Sequence, residues 1–262
     1  ALGSALIEGN YPVIEGLLSA VHLDHTARLY VDVDDLLDED GSTQLTVVAR
    51  TTGLDESSAG RVVTVQEALY HDGQEIGFFQ ERFAIRGRIG SDSVPVDVPA
   101  AAGLAAGVTD TPRSQLRRAR VVAPANMTTF ANVSGDFNPI HTSYAAARVA
   151  GLEDALVHGM WLSAVAQNLV GAREGKQPGY RITGWTYNMY GLVNLNDPVD
   201  LTVERVGRIP GGGLLLEVTA KIDGQIVSRA TATTAPPTTA YVYPGQGIQR
   251  QGMALEEMAT SD

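Results

Sequence analysis

Apolar and polar residues alternate with a period of two in three early runs, residues 43–50, 61–70 and 75–85, and this predicts three strands. The last two are joined by His71-Asp72-Gly73-Gln74, whose Asp-Gly pair supplies the positive φ angles of a tight hairpin turn. Ahead of them, residues 11–21 predict a short buried helix. Residues 88–112 lose periodicity and fill with Gly, Ala, Pro, Ser and Asp, the composition of a connector, so a domain boundary is expected there.

Beyond the connector, residues 120–123 predict a strand and residues 127–133 a short helix, led in by Pro124-Ala125-Asn126. The helix cannot continue through Gly135-Asp136-Phe137-Asn138-Pro139-Ile140-His141, because Pro139 lacks a backbone donor and biases Asn138 away from helical geometry. Residues 158–170 return to helical spacing. Met160, Leu162, Ala164, Val165, Ala166 and Leu169 make that helix apolar on most sides, which predicts burial. Strand-like runs follow at 184–192, 198–206, 213–222 and 225–234, the last two joined by Asp223-Gly224. Gly211-Gly212-Gly213, after Pro210, reads as a turn and not as a phosphate cradle. Strand, Asp-Gly-Gln, strand occurs in both halves, a weak internal repeat. An antiparallel sheet wrapping a long buried helix, twice over, would bury both apolar sets in an α+β architecture.

Composition and charge narrow the chemistry. The 262 residues, 44% hydrophobic and 19% charged, suffice for one large or two ordinary domains. The absence of cysteine excludes disulfides, thiolate zinc sites and cysteine nucleophiles, and makes the cytoplasm the expected compartment. No apolar run approaches the roughly 20 residues that span a bilayer, and the first basic residue is Arg28, so neither a membrane helix nor a signal peptide is expected. The chain starts on alanine, as a processed start or a piece of something longer would. A net charge of −11, with an acidic run at 32–40, would repel a phosphate backbone, so nucleic acid is not an expected partner. Arg113, Arg117, Arg118 and Arg120 form one basic cluster, read as the coating of a linker and a strand edge. His22-Leu23-Asp24-His25 offers metal-ligand types, but no second cluster completes four ligands and the spacing also suits a strand edge; no metal is expected.

The residues that carry chemistry lie on the interrupted helix. Removing water from a 3-hydroxyacyl thioester needs a base for the C2 proton, an acid for the departing hydroxyl and a donor for charge on the thioester oxygen. Asp136 and His141, five residues apart on a loop held by Gly135 and Pro139, could point into one cleft. Gly159, just after His158 at the start of the buried helix, offers an unpaired N–H at the positive end of a helix dipole. Taken singly, Asp136 reads as a turn cap and His141 as a surface residue. A cap does not explain the second segment, His158-Gly159-Met160.

Ser134-Gly135-Asp136-Phe137-Asn138-Pro139-Ile140-His141, followed by Ala-rich sequence and His158-Gly159-Met160, resembles the MaoC-like hydratase/dehydratase signature of hot dog folds, over roughly residues 115–235. The resemblance implies a double hot dog fold, Asp136 and His141 as the catalytic dyad, and Gly159 N–H as oxyanion donor. It also implies Asn138 as an orienting side chain, with Ser134, His158 and Met160 beside the substrate. Stand-alone members continue after the histidine with an Asp-Pro-type segment. Here Thr142-Ser143-Tyr144 follows, closer to fused fungal and actinobacterial type I fatty acid synthases. Residues 240–253 resemble the opening strand and loop of malonyl/palmitoyl acyltransferase domains, which follow the dehydratase in such synthases. The Gly-x-Ser-x-Gly elbow of that domain does not occur.

The expected organisation is a non-catalytic hot dog unit over 1–95 that closes the acyl tunnel, a linker at 96–114, a catalytic unit at 115–235, and a linker with the start of an acyltransferase domain at 236–262. The expected reaction, by resemblance to a bacterial type I synthase, converts (3R)-3-hydroxyacyl-ACP to trans-2-enoyl-ACP and water. His141 would take the C2 proton and Asp136 exchange one with the hydroxyl, roles the two could share or swap. The substrate would ride on the phosphopantetheine of an acyl carrier protein, with no cofactor in this region. The expected partners are the carrier and other synthase domains in a homo-oligomer, hexameric by resemblance. A stand-alone (R)-specific enoyl-CoA hydratase and a non-catalytic acyl-binding hot dog module are the alternatives.

Overall fold

A computed structural model describes residues 20–32, 35–36, 38, 42–58, 60–86, 107–172 and 179–236. The first half supplies β1 (Ala20–Leu29), β2 (Thr46–Ser57), β3 (Gly60–His71) and β4 (Gln74–Ile85). The second supplies β5 (Thr109–Val122), α1 (Thr128–Ser134), a 3-10 turn (Pro139–His141), α2 (Tyr144–Val149), α3 (Gly159–Gly171), β6 (Ile182–Met189), β7 (Pro198–Arg208), β8 (Leu214–Ile222) and β9 (Gln225–Thr234). All nine strands form one sheet in the order β2-β3-β4-β1-β6-β9-β8-β7-β5, antiparallel throughout. This is the α+β, hot dog architecture that the sequence leads one to expect.

Both Asp-Gly pairs turn as expected. Asp72 and Gly73 take φ of 49° and 77°, Asp223 and Gly224 take 48° and 81°, so both central residues are left-handed and match the twist of the flanking strands. Alternation along the strands then sorts residues to faces. Trp185 and Tyr187 lie opposite Ala232 and Ala230, which lie opposite Leu216 and Val218, followed by Leu201 and Val203. This face is buried beneath Leu162, Ala166 and Val170 of α3. The two large aromatic rings have alanines as cross-strand neighbours, which leaves room for the helix between bulky rows.

The far end of α3 corrects the reading of one arginine. Arg117 is buried, and its guanidinium donates to the carbonyls of Leu169 and Val170, the latter at 3.1 Å. These are last-turn carbonyls at the negative end of the helix, where a cation is favoured. Arg117 therefore serves the core, whereas Arg113 pairs with Glu204 and Glu217, and Arg120 with Asp200, on the sheet surface.

Other departures concern element boundaries. Ala20 and Val21, expected to end a helix, begin β1; the rest of that helix, 11–19, lies outside the described residues. β1 sits between β4 and β6, so His22 and His25 occupy an interior strand that joins the halves and not an edge. β5 starts within the expected connector, whose residues 87–106 lie outside the described residues, as do 240–253 with their acyltransferase-like pattern. α2 was not expected; Ser143 caps it, its Oγ accepting from Ala146 N at 3.3 Å. No helix among the described residues is long and apolar enough to cross a membrane.

Candidate active site

The loop between α1 and the 3-10 turn is braced by its own polar side chains. α1 ends on Gly135, whose φ of 74° is left-handed. Ser134 Oγ accepts from Asp136 N at 3.2 Å, Asp136 Oδ1 from Asn138 N at 3.0 Å, and Asn138 Oδ1 from Ile140 N at 3.3 Å. Each side chain holds the backbone two residues on, the habit of Ser, Asp and Asn in turns. Ile140 plugs the loop into a small core with Ala147, Leu152, Ala155 and Leu156. Pro139 opens the turn that delivers His141.

Two carbonyls then set the histidines. His141 Nδ1–H donates to Leu156 O at 2.9 Å, which leaves Nε2 with its lone pair free. Leu156 is itself fixed by a bond from its N–H to Ile140 O and by a bridge to Asn194. His158 Nε2–H donates to Asp136 O at 3.0 Å and lies 3.5 Å from Asp136 Oδ2. The two rings stack with centroids 3.8 Å apart, and Phe130 lies against His158 at 5.2 Å. His158 is 2% exposed and Asp136 51%, so the carboxylate stands at the mouth of the site and His158 behind it.

Burial, and next the neighbouring His158, pushes His141 down to about 4, against upward pulls from the Leu156 carbonyl and Asp136. Burial also lowers His158, opposed by the Asp136 carbonyl and carboxylate. Both imidazoles are thus neutral near pH 7, and His141 presents a basic nitrogen.

Gly159 opens α3, and its N–H has no backbone acceptor among the described residues, as expected of a first-turn residue. A Cβ here would meet the sulfur and methyl at the flexible end of Met189, so the glycine gives that side chain its place against the helix start. Met160 follows in the same turn, half-buried. The structure therefore brings Asp136, His141, His158 and Gly159 together, with Ser134 and Asn138 bracing the loop beneath them. Sequence reasoning missed Leu156, whose carbonyl selects the His141 tautomer; a backbone acceptor leaves no residue-type signal.

Asp136, His141 and His158 each place a potential ligand atom within 4.8 Å of the others. His141 Nδ1 and His158 Nε2 are engaged with carbonyls, which leaves one ring nitrogen on each of two stacked imidazoles. That arrangement suits proton exchange better than tetrahedral coordination.

The family described as "MaoC like domain" matches residues 107–225, which hold every group just described. Residues 107–225 are thus similar to MaoC-like domains. The chain is 33% identical over 138 residues to the fatty acid synthase subunit beta of Saccharomyces cerevisiae, and 32% over 143 residues to that of Schizosaccharomyces pombe. Each match covers 53% of this chain and 7% of the subunit, so the chain spans a small part of those relatives. Among solved structures, a MaoC-like dehydratase superposes with a TM-score of 0.68 at 15% identity, covering 90% of this chain and 81% of the other. A MaoC-like dehydratase from Phytophthora capsici gives 0.63 at 14% identity, covering 84% and 73%. These likenesses extend the shared fold across both halves of the sheet.

Proposed function

We propose that the chain dehydrates (3R)-3-hydroxyacyl groups carried on an acyl carrier protein, as the dehydratase region of a type I fatty acid synthase. The observation that carries this reading is the Nδ1–H bond from His141 to Leu156 O, which leaves a neutral Nε2 lone pair beside Asp136. His141 Nε2 takes the C2 proton, Asp136 exchanges a proton with the C3 hydroxyl, and Gly159 N–H with the α3 dipole holds the negative charge on the thioester oxygen. His158 keeps the Asp136 backbone against α3, so the acid/base loop and the oxyanion donor stay in register. The carrier is inferred from likeness to synthase beta subunits. On the same basis, the other synthase domains are its partners, in a homo-oligomer.

Dehydration of (3R)-3-hydroxybutyryl-ACP against its coenzyme A counterpart tests the carrier. A higher kcat/KM on the carrier protein is expected; equal or better turnover of the coenzyme A thioester would instead mark an (R)-specific enoyl-CoA hydratase.

A further inference from the structure

His22 belongs to the first half, yet it stands at the site of the second. The register of β1 on β4 breaks between His22 and Asp24, so Leu23 is the extra residue of a bulge. In a regular strand, residues three apart face opposite sides. The extra residue brings His22 and His25 to one face, with ring centroids 5.5 Å apart. His25 is tied there to α3: Ser163 Oγ donates to His25 Nε2 at 3.0 Å and accepts from Trp185 Nε1 at 3.0 Å. Along β6, His25 lies opposite Tyr187 and Asp24 opposite Asn188, so His22 lies further on, toward Met189. Met189 packs on Gly159, one helical turn before Ser163. His22 therefore lies toward the end of β6 whose Met189 packs on the start of α3. Asp136 is near enough to pull its pKa upward, although burial outweighs this and leaves the ring at about 4.

One nitrogen of His22 is committed and the other is not. Nε2–H donates to Asp24 O at 3.0 Å, and the ring stacks on Phe83 at 4.5 Å. Nδ1, unprotonated in this tautomer, makes no hydrogen bond to another described residue. A half-buried neutral acceptor beside a carboxylate calls for an O–H or N–H donor. The donor that the reaction brings to Asp136 is the C3 hydroxyl.

We propose that His22 Nδ1 accepts a hydrogen bond from the C3 hydroxyl of the 3-hydroxyacyl group, so that the first half contributes a substrate-binding residue. This rests on the hydro-lyase reading of the Asp136–His141 pair. With its proton directed at His22, the hydroxyl oxygen turns its lone pairs toward Asp136, whose carboxylic acid form gives up its proton as the C3–O bond breaks and water leaves, while the C2 proton passes to His141 and from there restores the acid. The enoyl product has no hydroxyl and makes no such bond.

The test compares KM for (3R)-3-hydroxybutyryl and for crotonyl pantetheine thioesters. His22→Phe keeps the stack on Phe83 and removes the acceptor; His22→Asn places an amide oxygen where Nδ1 stands. His22→Phe is expected to raise KM for the hydroxyacyl substrate about tenfold, the size of one hydrogen bond, and to leave KM for crotonyl unchanged. The fixed overall equilibrium then puts the matching tenfold loss on kcat of hydration. His22→Asn should recover most of the loss. If His22→Phe does not fold, His22→Gln replaces it with the same expectation, since its amide reaches the Nε2 position. Unchanged KM for the hydroxyacyl substrate, equal shifts for both substrates, or no recovery in His22→Asn overturns the proposal. His141→Ala separates the layers: an active His141→Ala sinks the dyad itself, whereas an inactive one beside a silent His22→Phe sinks only the role of His22.

Discussion

One face of one sheet has two characters. Across β6, β9, β8 and β7 the inner positions are Trp185, Tyr187, Ala230, Ala232, Leu216, Val218, Leu201 and Val203, closed beneath α3. Across β1, β4 and β3 the same face continues as His22 and His25, then Phe83 and Glu81, then Val63, Val65 and Glu67. Burial, together with Glu67, pushes Glu81 up to about 7, and burial and then His22 hold His25 down to about 3. Both halves turn on the same Asp-Gly geometry, so hairpin topology places no demand on the chemistry of the face. The second half uses its face to hold a helix whose start supplies Gly159. The first half places titratable groups on it, and among the described residues Leu54, Val63, Val65 and Ile85 form its buried cluster.

The largest effect should come from the closed half. Leu216→Ala, fully buried under α3, is expected to cost the upper part of the roughly 2–5 kcal/mol range for such truncations, and Leu54→Ala in the smaller first-half cluster the lower part. Equal losses in denaturant unfolding would erase the contrast.

Gly159→Ala tests what the closed half does for chemistry. The new methyl meets the flexible end of Met189, and displacement of the N–H proposed to hold the thioester charge should lower turnover by up to about 10²–10³. Adding Met189→Ala makes room and should return that loss. A loss that Met189→Ala leaves unchanged would show that the Met189 contact is not its cause.

The smallest effects lie in pH dependence, where the buried histidines of both halves and Glu81 of the first differ in sign. Burial is the leading cause that lowers His22, His25, His141 and His158; the first three fall to about 4, 3 and 4 from an ordinary 6.5. The folded chain then holds fewer protons than the unfolded one below 6.5. Their stability contribution is full above that pH and drains as pH falls toward 3. Glu81 acts oppositely: raised from 4.5 to about 7, it holds a proton in the folded chain that the unfolded chain has lost. Its contribution is present below 4.5 and lost as pH rises through 7. Glu81→Gln should therefore raise the thermal midpoint at about pH 8 and leave it unchanged near pH 4, as followed by thermal unfolding. The opposite pattern would show that Glu81 is not held protonated by its surroundings.

Much of the second half was legible because its signals are local. The Asp-Gly turns, the Pro139 break, the helical spacing from Met160 to Leu169 and the Asp136-to-His141 loop all lie within a few residues of their effect. What escaped depends on distant partners. The first two residues of β1 read as the end of a helix until β4 and β6 close around the strand, and Arg117 looks like a surface charge until the Leu169 and Val170 carbonyls arrive from 52 and 53 residues away. His22 and His25 stood out in the sequence as metal-ligand types. Their common face follows from a bulge at Leu23, which is created by the pairing with β4 and leaves no mark in the residue order.

Hydration of a crotonyl thioester by Asp136→Asn and His141→Ala, with thermal unfolding of each variant alongside, bears most directly on the acid/base pair. Each should fold with the midpoint of the parent chain and lose about 10²–10⁴ in rate, and the double variant should be little worse than either, as expected of groups that act as a unit. A correctly folded Asp136→Asn or His141→Ala that hydrates crotonyl thioester at close to the parent rate would contradict the assignment of this pair as the seat of proton transfer.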